Sequence, residues 1–152
     1  MGFRGPDKRR YLKSWIVADV FSKRKRSAVM SLIRSKDTSP ELIVRRLVHR
    51  MGFRYRLHVA GLPGKPDLVF SRSKKIIDVR GCFWHQHKGC LDSHIPKSRV
   101  DYWQPKLARN VSRDKENQRR LRSLGWQMLT LWECKIVDSS ALADQLRSFL
   151  EK

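Results

Sequence analysis

Acidic residues are scarce in this sequence: 14 Asp and Glu stand against 34 Lys and Arg, for a formal net charge of +20 at pH 7. Self-repulsion on that scale destabilises a compact chain unless a polyanion lies against it. Nucleic acid is the first polyanion to consider, and an anionic membrane surface the second. No hydrophobic run approaches the ~20 residues needed to span a bilayer, which excludes a membrane-spanning helix. The opening MGFRGPDKRRYLKSW is too charged for a secretory leader, and Pro6 spoils the myristoylation pattern that Gly2 would begin. The expectation is a cytoplasmic protein. Cysteine is also sparse, and an odd total of 3 excludes a fully paired disulfide framework, leaving free thiols or metal ligands. Repeats and low-complexity linkers are absent, so 152 residues at 40% hydrophobic content read as one domain able to bury a core.

The punctuation along the chain is strong. Residues 1–21 mix basic and aromatic character with weak periodicity and read as an arm, leaving 22–152 as the domain. SKRKRSAVMSLIRSKDTS predicts a basic helix and then a loop. In TSPELIVRRLVHRMGF, Ser39 is placed to cap a helix, Pro40 to open it, Glu41 to occupy its first turn and Gly52 to stop it. Leu42, Ile43, Leu47 and Met51 share one face of that helix, with Arg45, Arg46 and Arg50 largely outside it. RYRLHV alternates as a strand that would bury Tyr55, Leu57 and Val59, and PDLVF and KIIDV form a hairpin around SRSK. A long helix over 101–124 closed by Gly125, a strand in WQMLTLW and a helix in SSALADQLRSFLEK complete the order α-β-β-β-α-β-α. That order predicts an α/β domain, a mixed sheet with helices on its faces.

Cys82, His85, His87 and Cys90 fall within nine residues, and Cys134 follows the last predicted strand. Zinc takes four Cys or His ligands in a tetrahedron, and Cys82, His87, Cys90 and Cys134 would supply a closed, structural site while leaving His85 free. The alternative is that the cysteines are small buried hydrophobes and the histidines line a basic surface. Elsewhere, Asp67 begins one hairpin strand and Asp78 and Arg80 end the next, so pairing brings two acids to one edge of the sheet. Magnesium needs only one or two carboxylates besides waters and phosphate oxygens. Taken alone, a turn and a surface ion pair would explain these residues equally well.

The surrounding motifs are SKDTSPEL, LPGKPD, GCFWHQH, NVSRD and LGWQMLTLWEC, in order over about residues 24–136. Together they resemble the very-short-patch repair endonucleases, within the wider PD-(D/E)xK nuclease pattern. The resemblance implies a restriction-endonuclease-like fold with a structural zinc, acting on double-stranded DNA as a monomer. The implied activity is magnesium-dependent nicking at T:G mismatches left by deamination of 5-methylcytosine. It assigns Asp67 to magnesium, with Asp78 and Val79 beside it; His85 to catalysis, with Asp114 supporting it; and Glu41 to a functional acid. Cys82, His87, Cys90 and Cys134 match the zinc ligands. Phe83, Trp84 and Trp103 match aromatics that wedge into the base stack, and Asn110 falls with the DNA-binding positions. The chain departs from the family pattern where a histidine is replaced by Arg80 and a hydrophobic residue by Asp78, and the loop between His87 and Cys90 is one residue longer.

Chemically, phosphodiester hydrolysis needs an activated water and charge neutralisation at the phosphoryl oxygens. Histidine exchanges protons near neutral pH, which suits His85, with Asp114 fixing its tautomer or, equally, pairing with surface arginines. Arg80 would place a fixed cation on the phosphate. Apolar wedges open a mismatch at lower cost than a matched pair. Two other functions fit the same residues: a homing-type or other site-specific endonuclease, and a zinc-stabilised DNA-binding module without nuclease activity.

Overall fold

The computed structural model describes residues 22–25, 27, 36–136 and 139–152. The expected arm over 1–21 lies outside these residues, as does most of the basic helix, of which Lys23–Lys25 are helical. Helix α1 spans Ser39–Arg50 and is entered from Thr38, one residue before the expected cap. Glu41 turns back on that entry, accepting from the Asp37 backbone N–H and the Thr38 hydroxyl, each at 2.9 Å. The far end closes on Gly52, whose φ of +92° no β-carbon obstructs. There the Gly52 N–H reaches the carbonyl of His49 and the Phe53 N–H that of Val48, satisfying carbonyls the helix leaves open.

Three strands follow in the order β1-β2-β3: β1 is Leu68–Phe70, β2 is Lys75–Arg80 and β3 is Gln127–Trp132. β1 and β2 pair antiparallel as the expected hairpin, while β2 and β3 pair parallel. A parallel pair needs a long crossover, and helix α2, Val100–Ser123, supplies it. α2 stops on Gly125, at φ +81°, with the same pair of closing hydrogen bonds as α1. Helix α3, Ser139–Glu151, follows a short turn at Glu133–Lys135. The buried Lys75 donates from Nζ to the carbonyl of Leu150, tying the end of α3 to the start of β2.

Strand alternation divides the core. Leu68, Phe70, Ile77 and Leu131 face Val44 and Val48 of α1 and Leu142, Leu146 and Leu150 of α3. Val69 and Ile76 face the other way, against Leu121 of α2 with Met128 and Trp126 beside it. The architecture is therefore the expected mixed α/β, with helices on both faces of the sheet. Among the described residues, no helix is long and apolar enough to cross a membrane.

Two expectations fail. RYRLHV forms no strand: Arg56 makes a single antiparallel bridge to Val69, and His58, at φ +50°, then turns the chain away. Tyr55 still packs edge-on to Phe70, but Leu57 is 39% exposed. Arg45 is buried rather than outside α1, because Glu41 one turn earlier and Asp37 both accept from its guanidinium.

The division of the core sets a stability contrast. Leu146→Ala, at a fully buried position, should cost about 2–5 kcal/mol in urea unfolding, whereas Leu124→Ala, 54% exposed, should stay within about 0.5 kcal/mol.

Candidate active site and metal centre

Hairpin register builds the acidic end of the site. Leu68 stands opposite Ile77, so the next opposed positions are Asp67 and Asp78. The Val79 backbone N–H donates to Asp67 Oδ2 at 2.7 Å, which aims that carboxylate along the sheet edge. Asp67 is pushed up to about 7, first by burial and then by the charge of Asp78, against the opposing pull of the Val79 N–H. Glu41 adds to that rise and Arg45 offsets part of it. A carboxyl raised by burial and then by neighbouring carboxylates is where a cation gains most, so this oxygen donor set fits magnesium. Asp67 and Asp78 would hold the ion. Val79 meets Asp67 through its N–H. Glu41 is occupied by Asp37, Thr38 and Arg45.

The other end is built by the turn after β2 and by α2. Backbone bonds from His85 to Gly81 and from His87 to Cys82 fold residues 81–87 tightly. They bring His85 Nδ1 to 2.5 Å from Asp114 Oδ2, on the buried side of α2. With Nδ1 directed at Asp114, Nε2 is the nitrogen left to accept a proton. Arg80 is buried between the two ends: Nε donates to Asp78 at 2.7 Å, and an η-nitrogen lies 3.7 Å from Asp114. Asp78, Arg80, His85 and Asp114 line one cleft of about 60 Å³, closed opposite by Pro63, Gly64 and Pro66. Asp67 joins this group through Asp78.

The metal centre lies beyond His85. Donor atoms of Cys82, His87, Cys90 and Cys134 all lie within 4.8 Å of one another. His87 Nδ1 is 3.5 Å from Cys82 Sγ and 3.3 Å from Cys134 Sγ. Tetrahedral zinc, with Zn–S about 2.3 Å and Zn–N about 2.0–2.1 Å, requires S···N edges of about 3.5 Å. The set fits zinc. The His87 ring stacks on Trp132 with centroids 4.2 Å apart, which fixes its plane. Burial pushes the Cys82 and Cys134 thiols up, so a soft cation that displaces their protons matches what the fold withholds.

The aromatics form a satellite core rather than a free surface. Phe83 and Trp103 are each only 3% exposed, packed with Leu107. Trp84 is half-buried, edge-on to Phe83 at 5.0 Å. The structure thus does not offer Phe83 or Trp103 directly to a base stack. Asn110 is engaged as well, donating to the Trp84 carbonyl at 3.2 Å and accepting from Arg113, so it braces the loop. Two residues outside the motifs stand here instead. Tyr102 is 42% exposed, and Lys106 lies over Tyr102, Trp103 and Trp84 at 5.1–5.6 Å. Their signal in the sequence is the three- and four-residue spacing from Tyr102 and Trp103 to Lys106 on a helix.

Comparison with known proteins bears on these same residues. The family described as DNA mismatch endonuclease Vsr matches residues 18–91. The type II nicking enzyme V.XorIIP of Xanthomonas oryzae pv. oryzae is 43% identical over 135 residues, covering 89% of this chain and 98% of the relative. The type II nicking enzyme V.NmeAIP of Neisseria meningitidis is 38% identical over 136 residues, 90% of this chain and 96% of that one. The DNA mismatch endonuclease Vsr of Escherichia coli K12 is 37% identical over 129 residues, 85% and 82% respectively. Matches of this length span the hairpin, the ligand-bearing turn and α2, and by them the chain belongs to the Vsr family of DNA endonucleases.

Proposed function

We propose that this endonuclease nicks one strand of double-stranded DNA at a T:G mismatch, with magnesium at the acidic edge and zinc as a structural staple. The observation that carries the reading is one cleft holding a His85–Asp114 pair beside the Asp78–Arg80 pair that adjoins Asp67. The acids on a hairpin, with a parallel third strand beyond, support a restriction-endonuclease-like arrangement. The working place of such a protein is the cytoplasm, where the DNA is.

His85 Nε2 takes the proton of the attacking water while Asp114, on Nδ1, holds the ring and stabilises the imidazolium that forms. The bond from phosphorus to the 3′ oxygen breaks as the water adds, and the 3′ oxygen takes a proton from solvent. Arg80, fixed by Asp78 and Asp114, sets a permanent cation at the phosphate without exchanging protons. Asp67 and Asp78 hold the metal edge, where bound magnesium would add Lewis-acid neutralisation of the phosphoryl oxygens. Trp84, backed by Phe83 and Trp103, is the apolar wedge, and Lys106 carries positive charge to its rim. Surface lysines and arginines supply affinity without sequence preference.

Three experiments test these roles. One zinc per chain should be found by elemental analysis, and Cys134→Ser should release it and lower the melting temperature; full occupancy in that variant would reject the ligand set.

Asp67→Asn and His85→Ala should each abolish single-turnover nicking while preserving DNA affinity. Asp67→Asn has a second, independent readout. A carboxyl raised from 3.8 to about 7 by folding contributes stability that is present at low pH and lost as pH rises through 7. Without divalent metal, the variant should therefore be more stable than the wild type at pH 8 and gain nothing at pH 4. A variant that matched the wild type at pH 8 would remove the electrostatic basis of the metal edge.

A T:G duplex should be nicked faster than its T:A counterpart, since the weaker pair opens at lower cost. Trp84→Ala should erase that preference and leave salt-dependent binding intact. Equal nicking of T:G and T:A across several sequence contexts would assign the protein to site-specific cutting instead.

A further inference from the structure

α2 carries another polar side chain into the cleft, and the chemistry above leaves it unused. Asn117 lies three residues beyond Asp114, about 4.5 Å further along the helix at ~1.5 Å per residue. It is half-buried and lines the same cleft as Asp78, Arg80, His85 and Asp114. Its polar neighbours on α2 are engaged: Asp114 by His85, Gln118 by Thr130 and Asn110 by the Trp84 carbonyl. The Asn117 amide has no partner among the described residues.

The facing wall is shaped to that amide. A β-carbon built on Gly64 would fall 2.9 Å from Asn117 Nδ2, and Gly64 already sits at φ +76°. Glycine is therefore required here twice, by the backbone and by the amide that occupies its side-chain space. Pro63 and Pro66 stiffen this wall, and Leu121 and Met128 lie along the apolar side of the cleft. Neither surface hydrogen-bonds the amide, which is half-buried and open to a ligand in the cleft.

The endonuclease reading supplies that ligand. A cleft of about 60 Å³ open to solvent has room for a phosphate group. Two carboxylates stand there against the single guanidinium of Arg80, so a phosphate entering the cleft meets few cations and gains from a neutral donor. We propose that Asn117 is a further substrate-contacting residue, its side-chain amide donating to a non-bridging phosphate oxygen of the strand that enters the cleft. The assignment rests on the endonuclease reading and extends its substrate contacts one turn along α2.

The test uses Asn117→Ala and Asn117→Asp in the full chain, with single-turnover nicking and equilibrium binding without magnesium as separate measurements. Asn117→Ala should nick at least about tenfold more slowly at an unchanged melting temperature, as expected for one hydrogen bond to a charged group. Asn117→Asp should lose more, because it sets a carboxylate against the phosphate. Phosphates of the nicked strand are then replaced one at a time by neutral methylphosphonate and scored by binding. At one position the replacement should weaken the wild type more than Asn117→Ala, and weaken Asn117→Asp least. Wild-type nicking by Asn117→Ala, or equal losses in wild type and variant at every position, would overturn the assignment. Should Asn117→Ala fail to fold, Asn117→Asp carries the same comparison. The binding arm needs no chemistry. A wild type that nicks no duplex but shows the single-position pattern would reject the endonuclease reading and leave the Asn117 contact standing.

Discussion

The register of β2 between its two neighbours is the constraint on which the rest depends. On one side, antiparallel pairing of Leu68 with Ile77 leaves Asp67 and Asp78 opposed at the end of the hairpin. On the other, parallel pairing of Arg80 with Trp132 means that two more residues along each chain reach Cys82 and Cys134. One alignment therefore brings the acids to each other and the cysteines to each other. A one-residue slip would reverse every side chain of β2, placing Ile77 in the wrong core and separating both sets at once.

α2 converts that edge into a site. Trp103, Leu107, Asp114 and Leu121 are its buried residues, and they pass in turn through the aromatic cluster, the histidine partner and the main core. Asn110 adds a bond to the loop itself. The helix thus fixes the distance from the Phe83–Trp84 turn to the sheet, while a metal held by Cys82, His87, Cys90 and Cys134 would tie that turn to the end of β3. With both anchors on one short loop, His85 would have the little freedom that its proposed proton transfer requires.

The buried charges belong to this positioning and add little to stability. Arg80 beside Asp78 and Asp114, and Arg45 beside Glu41, carry desolvation costs that well-packed apolar side chains would avoid, while Asp37 stays exposed. Arg45 even leaves its Nε buried without a partner. Arrangements of this kind hold carboxylates in fixed directions, and Asp67 is raised first by its burial and then by the charge of Asp78.

The sequence by itself determined whatever depends on near neighbours. Thr38 to Gly52 and Gly125 mark helix ends through local hydrogen bonds, the PDLVF–KIIDV hairpin closes over a four-residue turn, and the ligand-rich turn is legible because three of its ligands lie within nine residues. Only the tertiary structure decided the rest. RYRLHV has a strand's alternation, yet whether it pairs depended on a three-residue β1 and on the left-handed turn at His58. Arg45 reads as a surface residue by periodicity, and its burial follows from acids that fold back from the entry to α1. Phe83 and Trp103 are buried because a loop and a helix twenty residues apart pack together, and Asn117 meets Gly64 across more than fifty. Periodicity reports which way a side chain points from its own element; what stands opposite is set by pairing between distant segments, which no local pattern encodes.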